Sequence, residues 1–253
     1  MYMTMFVVLM LWLSSPTTFF LTPKLKKHVR THVVEKERQK EIFVLIKPAK
    51  KKQNKFAKTR EKYIKRSVKL NKNRNTTREQ YNAIMPEYFE ARKELHEFSI
   101  SNEMAMRKIT TEDEWNNIMN AISAERSKSK EKDKIISANN KEFNQIINAC
   151  KKNIADEERK NKAIQAIESY RNQVEKTLPY FVEVSEKDWE TLRNYNATLE
   201  DYEAIDSEVL KLRDELWTVF LDTRFQLLEN TTEKEWKRII RKFNKLIKSD
   251  VID

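Results

Sequence analysis

Hydrophobic residues return at intervals of three and four over most of the chain beyond residue 75, a spacing that holds one stripe along a helix face. The longest stripe starts near Ser185 and runs through Trp189, Leu192, Tyr195, Leu199, Tyr202, Ile205, Val209, Leu212, Leu216 and Phe220. Ser185 with Asp188 three positions on, and Val184 placed to meet Trp189, predicts a capped helix start, and Asn230 marks the stop. Residues 185–230 are thus expected to form one rod of about 66 Å. So long an apolar stripe does not stay solvated, and the rod requires partner helices along its length.

Three more starts use the same chemistry: Thr77 with Gln80 and Tyr81, Thr111 with Glu114 and Trp115, and Thr232 with Glu235 and Trp236. The intervals between the four caps are 34, 74 and 47 residues, too irregular for a solenoid, so they read as recurring capping chemistry rather than a duplicated unit. After Thr77, Ile84 and Met85 precede Pro86, where the helix breaks or kinks, and Tyr88, Phe89, Leu95 and Phe98 continue the apolar face. A further long element is expected from Asn140 to Thr177, through Phe143, Ile147, Cys150, Ile154, Ile164, Ile167, Tyr170 and Val174, with Pro179 ending it. Its charged middle, Ala155 to Lys162, is a solvated bulge or a polar binding face. Short links favour antiparallel neighbours, so the fold class is all-α, an antiparallel bundle of long helices over residues 75–253 behind a basic, largely unstructured N-terminal arm.

Composition narrows the chemistry. The chain has no glycine, which argues against phosphate-cradling loops, dinucleotide folds and tight hairpins. Its single cysteine, Cys150, excludes an internal disulfide and a cysteine-based zinc site, and its helical spacing assigns it to a core face. His28, His32 and His96 lack the companions of a metal motif, and no nucleophile and base stand at a catalytic spacing. No enzyme, cofactor or metal is therefore expected.

Residues 1–23 carry no charge, and the apolar run Met5 to Leu13 suits a signal peptide, or a signal anchor if it is not cleaved. Residues 24–74 hold 20 Lys and Arg against four Glu, a net of +16 in a chain of net +11, and are expected to be a basic linker. Lys50, Lys51, Lys52, Lys55 and Lys58 are its candidate contact with an anionic surface, an acidic protein partner or acidic membrane. Nucleic acid ranks last, because Phe56, Tyr63 and Ile64 are too few to stack bases. The apolar island Ile42 to Ile46 is a strand or a docking peptide. Sequons stand at Asn75, Asn196 and Asn230, the second inside the expected rod. Among the tryptophans, Trp217 lies at the stripe edge beside Leu216 and is, with Tyr202, the candidate partner-binding residue.

From about residue 109 to 250 the chain resembles the PHIST (RESA-like helical) module of malaria parasites. The resemblance rests on TEDEWNNI from Thr111, the ADEERKNKAI segment from Ala155, Trp189 after a proline-containing turn, and the closing TEKEWKRIIRKFNKLI from Thr232. It implies a non-enzymatic helical protein-interaction module, secreted and delivered into the host cell, that binds cytoskeletal proteins or the cytoplasmic tails of adhesins. The family's export signal, Arg-x-Leu-x-acid, is missing; RTHVVE from Arg30 is the nearest piece. The reading from another class is a signal-anchored coiled-coil tether, with residues 5–21 held in a membrane.

Overall fold

The structure, a computed structural model, describes residues 24–126 and 131–248. The expectation for residues 1–23 lies outside these. Ten helices make up the described chain: α1 (Leu25–His32), α2 (Lys36–Ile46), α3 (Ala49–Lys72), α4 (Arg78–Asn82), α5 (Met85–Ile109), α6 (Glu112–Arg126), α7 (Glu131–Asn153), α8 (Glu157–Arg193), α9 (Leu199–Glu229) and α10 (Glu233–Lys248). The protein is all-α, as its periodicity implies. No backbone position among the described residues has positive φ, so the chain turns without needing a glycine.

Residues 24–74 depart from the expected unstructured arm: they are α1, α2 and α3. Leu25, Val29 and Val33, then Ile42, Ile46 and Ala49, then Phe56, Ile64 and Val68 all lie buried at helical spacing, beneath a coat of lysines. The island Ile42 to Ile46 is the end of helix α2. Two of the expected boundaries also move. Ser185 is no cap; it lies buried inside α8, which passes through Pro179 because Val174 and Thr177 before it and Phe181 and Val184 after it are all packed. The break falls instead at Asn194–Thr198. There the Thr198 Oγ1 accepts from the Asp201 N–H (3.4 Å), and Asp201 Oδ2 accepts in return from the Thr198 N–H (2.8 Å). The expected continuous element 140–177 is likewise cut at Ile154–Asp156, where the Asp156 carboxylate caps α8 by accepting from the Arg159 N–H at 2.8 Å. The charged segment is thus a helix start.

With Thr198 in place of Ser185, the cap positions become regular: Thr77 and Thr198, and Thr111 and Thr232, are each 121 residues apart (198 − 77 and 232 − 111). The same offset relates helix boundaries. α1 and α7 end at His32 and Asn153; α2 and α8 begin at Lys36 and Glu157; α3 and α8 end at Lys72 and Arg193; α6 and α10 begin at Glu112 and Glu233. The protein is a tandem duplication, contrary to the reading of its caps as unrelated. Proline accounts for the difference in helix number among the described residues, six in the first repeat and four in the second. Pro48 separates α2 from α3 and Pro86 follows the break between α4 and α5, whereas the equivalent Ser169 and Ser207 let α8 and α9 run through.

The cores obey the same relation. Leu25, Val29, Val33, Ile42, Ile46, Ala49, Met106, Trp115, Ile118, Met119 and Ile122 form one cluster. Their equivalents Ile146, Cys150, Ile154, Ala163, Ile167, Tyr170, Leu227, Trp236, Ile239, Ile240 and Phe243 are all in the other. Each lobe is completed by the other repeat. Trp189 and Leu192, from the end of α8, fill the first lobe. At the same positions of α3, Val68 fills the second and Asn71 Nδ2 donates to Asn244 Oδ1 at 3.1 Å. The long helix of each repeat, 37 residues in α8 or roughly 55 Å, therefore bridges the lobes. Arg92 with Asp206, Glu103 with Tyr202 and Asn82 with Trp217 show α4–α5 running antiparallel to α9 between them. The arrangement is an approximate two-fold with exchanged helix ends.

Candidate interaction surface

The most ordered polar geometry lies at the turns. Asn73 Oδ1 accepts from the Asn75 N–H, and Asn194 Oδ1 from the Asn196 N–H, each at 3.0 Å, so both repeats turn on an asparagine before the threonine cap. Two arginines close these turns across the two-fold. Arg107 donates to the carbonyls of Asn194 (2.7 Å) and Ala197 (3.0 Å), and Arg224 to that of Asn73 (3.0 Å). Each guanidinium also lies over the tyrosine of the turn it closes, Tyr202 and Tyr81. A second pair of corners joins α2 to α6 and α8 to α10. Glu114 accepts from the Thr111 N–H at 2.9 Å and from Arg38 at 2.5 Å; Glu235 accepts from the Thr232 N–H at 2.7 Å and from Arg159 at 2.8 Å. The Arg159 hydrogen bond holds the Glu235 carboxyl down to about 2. At Glu114, burial works against ionisation, yet the Thr111 N–H and Arg38 together keep its pKa low. These side chains hold backbone in place.

Near the two-fold the interior is ionic. The equivalent Arg92 and Arg213 are both buried, with Asp206 at 3.9 Å from the first and at 2.7 Å from His96. Burial lowers Arg213 to about 9. Further along, Tyr202 donates to Glu103, which Arg107 meets at 3.0 Å, and burial pushes the Glu103 carboxyl up to about 8. Acid–base groups are gathered here, but they are packed among helices. A dent of about 150 Å³ lined by Thr59, Tyr63, Arg66, Ile84, Glu87 and Tyr88 lies on another part of the surface and falls below the size of small-molecule sites. Among the described residues no group of three or more His, Cys, Asp or Glu could hold a metal ion. Burial raises the Cys150 thiol to about 12, in keeping with a core residue.

The lysines singled out from the sequence all lie on α3. Lys50, Lys51, Lys55 and Lys58 are exposed; Lys55 reaches Glu94 at 2.5 Å, and Lys52 is half-buried with its ammonium over the Phe98 ring. They belong to a longer ridge. Lys47, Lys50, Lys51, Lys58, Lys62, Lys65, Lys69 and Lys72 share one exposed arc, opposite the buried Phe56, Ile64 and Val68. From Lys50 to Lys72, within α3, the ridge spans about 33 Å. The sequence shows the charge but not the face, because so lysine-rich a composition reads as a linker.

Tyr202, the other candidate, cannot meet a partner: it is buried, and its hydroxyl is committed to Glu103. Trp217 stays half-buried at the rim, stacked on Phe220 with centroids 5.3 Å apart, its indole N–H donating to Asn82 at 3.2 Å. Asn196 sits in an exposed turn equivalent to that of Asn75, not within a helix. In these sequons, as in that of Asn230, the threonine is the cap of the next helix, so helix punctuation writes the pattern. No helix among the described residues is long and apolar enough to cross a membrane. Comparison of the chain with protein-family models, curated proteins and solved structures finds no match.

Proposed function

We propose that this chain is a non-enzymatic helical interaction module whose lysine ridge on α3 engages an acidic segment of a partner protein. The ridge carries the reading: a row of ammonium groups on a packed, straight helix meets an anionic partner without ordering a flexible arm first. The resemblance to the PHIST module gives it a setting, a secreted protein delivered into a host cell that binds a cytoskeletal protein or an adhesin tail. Two of the motifs behind that resemblance, TEDEW at Thr111 and TEKEW at Thr232, are copies of one repeat position. What supports the setting is therefore the recurrence of one corner, together with the uncharged leader.

The test is the destination of a tagged full-length chain in its own cell, with the mature N-terminus determined by mass spectrometry. A processed N-terminus and a secreted or host-cell location are expected, and Lys50→Glu with Lys51→Glu and Lys58→Glu should abolish capture of the partner. An intact Met1 in a soluble nuclear or cytosolic pool overturns the reading. Intact Met1 with membrane retention favours the tether instead.

A further inference from the structure

The duplication allows the ridge on α3 to be compared with the same face of α8, where the fold imposes the same demands. Every residue of one face has its counterpart 121 positions later on the other. Lys47, Lys62, Lys65 and Lys69 correspond to Glu168, Glu183, Glu186 and Glu190. At the three exposed pairs, Lys62 with Glu183, Lys65 with Glu186 and Lys69 with Glu190, the sign is reversed, while Glu168 is half-buried and Lys50, Lys55, Arg66 and Lys72 keep their sign as Arg171, Lys176, Lys187 and Arg193. Either sign would keep these three positions hydrated, so neither folding nor solubility explains why they are lysine on one helix and glutamate on the other. The adjoining surface follows suit: Glu200, Asp201, Glu203, Asp214 and Glu215 are exposed on α9, beside α8.

We infer that the basic ridge of one molecule docks on the acidic face of α8 in a second copy of the chain. The spacing supports this occupant. Lys62, Lys65 and Lys69 and Glu183, Glu186 and Glu190 both run at intervals of three and four, so two such helices laid side by side present matching rows of opposite charge. Lys47, Lys50, Lys51, Lys58, Lys69 and Lys72 have no ion pair among the described residues. The pairs that Lys62 makes with Glu87 (2.6 Å), Lys65 with Glu61 (2.5 Å) and Lys187 with Glu183 (3.3 Å) are exposed and can be traded for intermolecular ones at little cost. Because each molecule offers one face of either sign, the contact joins two different patches and repeats from one molecule to the next unless the geometry closes it. The net charge of +11 opposes association at very low salt. At about 0.1 M, where the screening length is about 10 Å, that repulsion across the whole body is damped while touching ion pairs still act.

This names an occupant for the ridge described above and rests on its being an anion-facing contact. The test is the weight-average mass of the full chain by sedimentation at about 0.1 M and about 1 M salt, where the screening length falls to about 3 Å. One variant carries Lys62→Glu, Lys65→Glu and Lys69→Glu; the other carries Glu183→Lys, Glu186→Lys and Glu190→Lys. The wild-type chain should grow in mass with concentration at the lower salt and be monomeric at the higher. Each variant alone should stay monomeric, and an equimolar mixture should associate again. If either triple variant loses helicity, Lys69→Glu and Glu190→Lys serve in its place. A wild-type chain monomeric throughout, or a mixture no heavier than its components, overturns the inference. If the first variant loses binding to a poly-glutamate peptide while the wild type stays monomeric, the ridge still faces anions and only self-docking falls; if reversal alters neither, both readings fall. Variant-sensitive binding to phosphatidylserine vesicles by a monomeric chain would give the ridge to a membrane and overturn self-docking.

Discussion

The first and second repeats agree where the chain turns and packs, and differ where it faces water. Asn73, Asn75, Thr77, Glu79 and Tyr81 recur as Asn194, Asn196, Thr198, Glu200 and Tyr202; Arg38, Thr111, Glu114 and Trp115 recur as Arg159, Thr232, Glu235 and Trp236. These are caps, turn formers and corner ion pairs, each fixed by a geometry that few residues supply. Core positions vary more: Ile46, Ile118 and Trp115 recur as Ile167, Ile239 and Trp236, but Val29 is replaced by Cys150, Ala49 by Tyr170, and Asn71 has Leu192 as its equivalent. Volume is shared among neighbours, so a core tolerates such exchanges when they are made together. Outward positions of the long helix are mixed: Lys55, Arg66 and Lys72 keep their sign as Lys176, Lys187 and Arg193, whereas Lys62, Lys65 and Lys69 become Glu183, Glu186 and Glu190. The difference separates what the fold demands from what the surface is for.

The largest effect that could break this equivalence is at the corner tryptophans. Trp115→Ala and Trp236→Ala should each cost about 3–5 kcal/mol by urea unfolding, since both indoles are buried in equivalent cores; a cost under about 1 kcal/mol at either would mean the two corners are not alike. Next come the corner carboxylates. Glu114→Gln and Glu235→Gln take from Arg38 and Arg159 the carboxylates that tie them to the opposite helix, leaving only the local Glu35 and Asp156, and should cost about 1–3 kcal/mol each.

The two-fold centre should respond to pH in the opposite direction from those corners. Glu235, held near 2 against an ordinary 4.5, contributes stability that is present above about 4.5 and lost as pH falls towards 2. Glu103 is raised to about 8, so its folded form keeps a proton that the unfolded chain releases above 4.5. Its contribution is full below that value and lost as pH rises through about 8. Melting temperatures across this range should decline on the alkaline side in the wild type and decline less in Glu103→Gln. A smaller effect locates the helix break: Thr198→Ala removes a cap worth about 1 kcal/mol, while Ser185→Ala, within α8, should cost only a few tenths. Of similar size, reversing Lys62, Lys65 and Lys69 removes two exposed ion pairs, with Glu87 and Glu61, and should lower stability by about 1 kcal/mol or less in total while altering association.

Much of this was legible from the residues. The all-α class, the caps at Thr77, Thr111 and Thr232, the break at Pro86 and the burial of Cys150 follow from periodicity and local chemistry. The duplication was hidden behind a single misplaced cap. Ser185 with Asp188 and Trp189 satisfies the local rule for a helix start, but tertiary packing on both sides of Pro179 keeps the helix going, and Thr198 with Asp201 is the start that breaks it. Residues 24–74 were obscured for another reason. Lysines dominate their composition, yet their apolar residues return every three or four positions, and lysine stems cover the rest of such a helix while the ammonium stays in water. Arg107 and Arg224 carried no signal in a single repeat; only the turns they close, in the other repeat, give them a role.

Neither repeat should fold alone, because the end of each long helix completes the core of the opposite lobe. A protease site placed between residues 126 and 131, in the full chain, tests it directly. After cleavage the two fragments should elute together under native conditions, separate only in denaturant, and lose most of their helicity once apart. Fragments that separate in buffer and each retain native helicity would contradict the exchange of α3 and α8 and reduce the protein to two independent bundles on one chain.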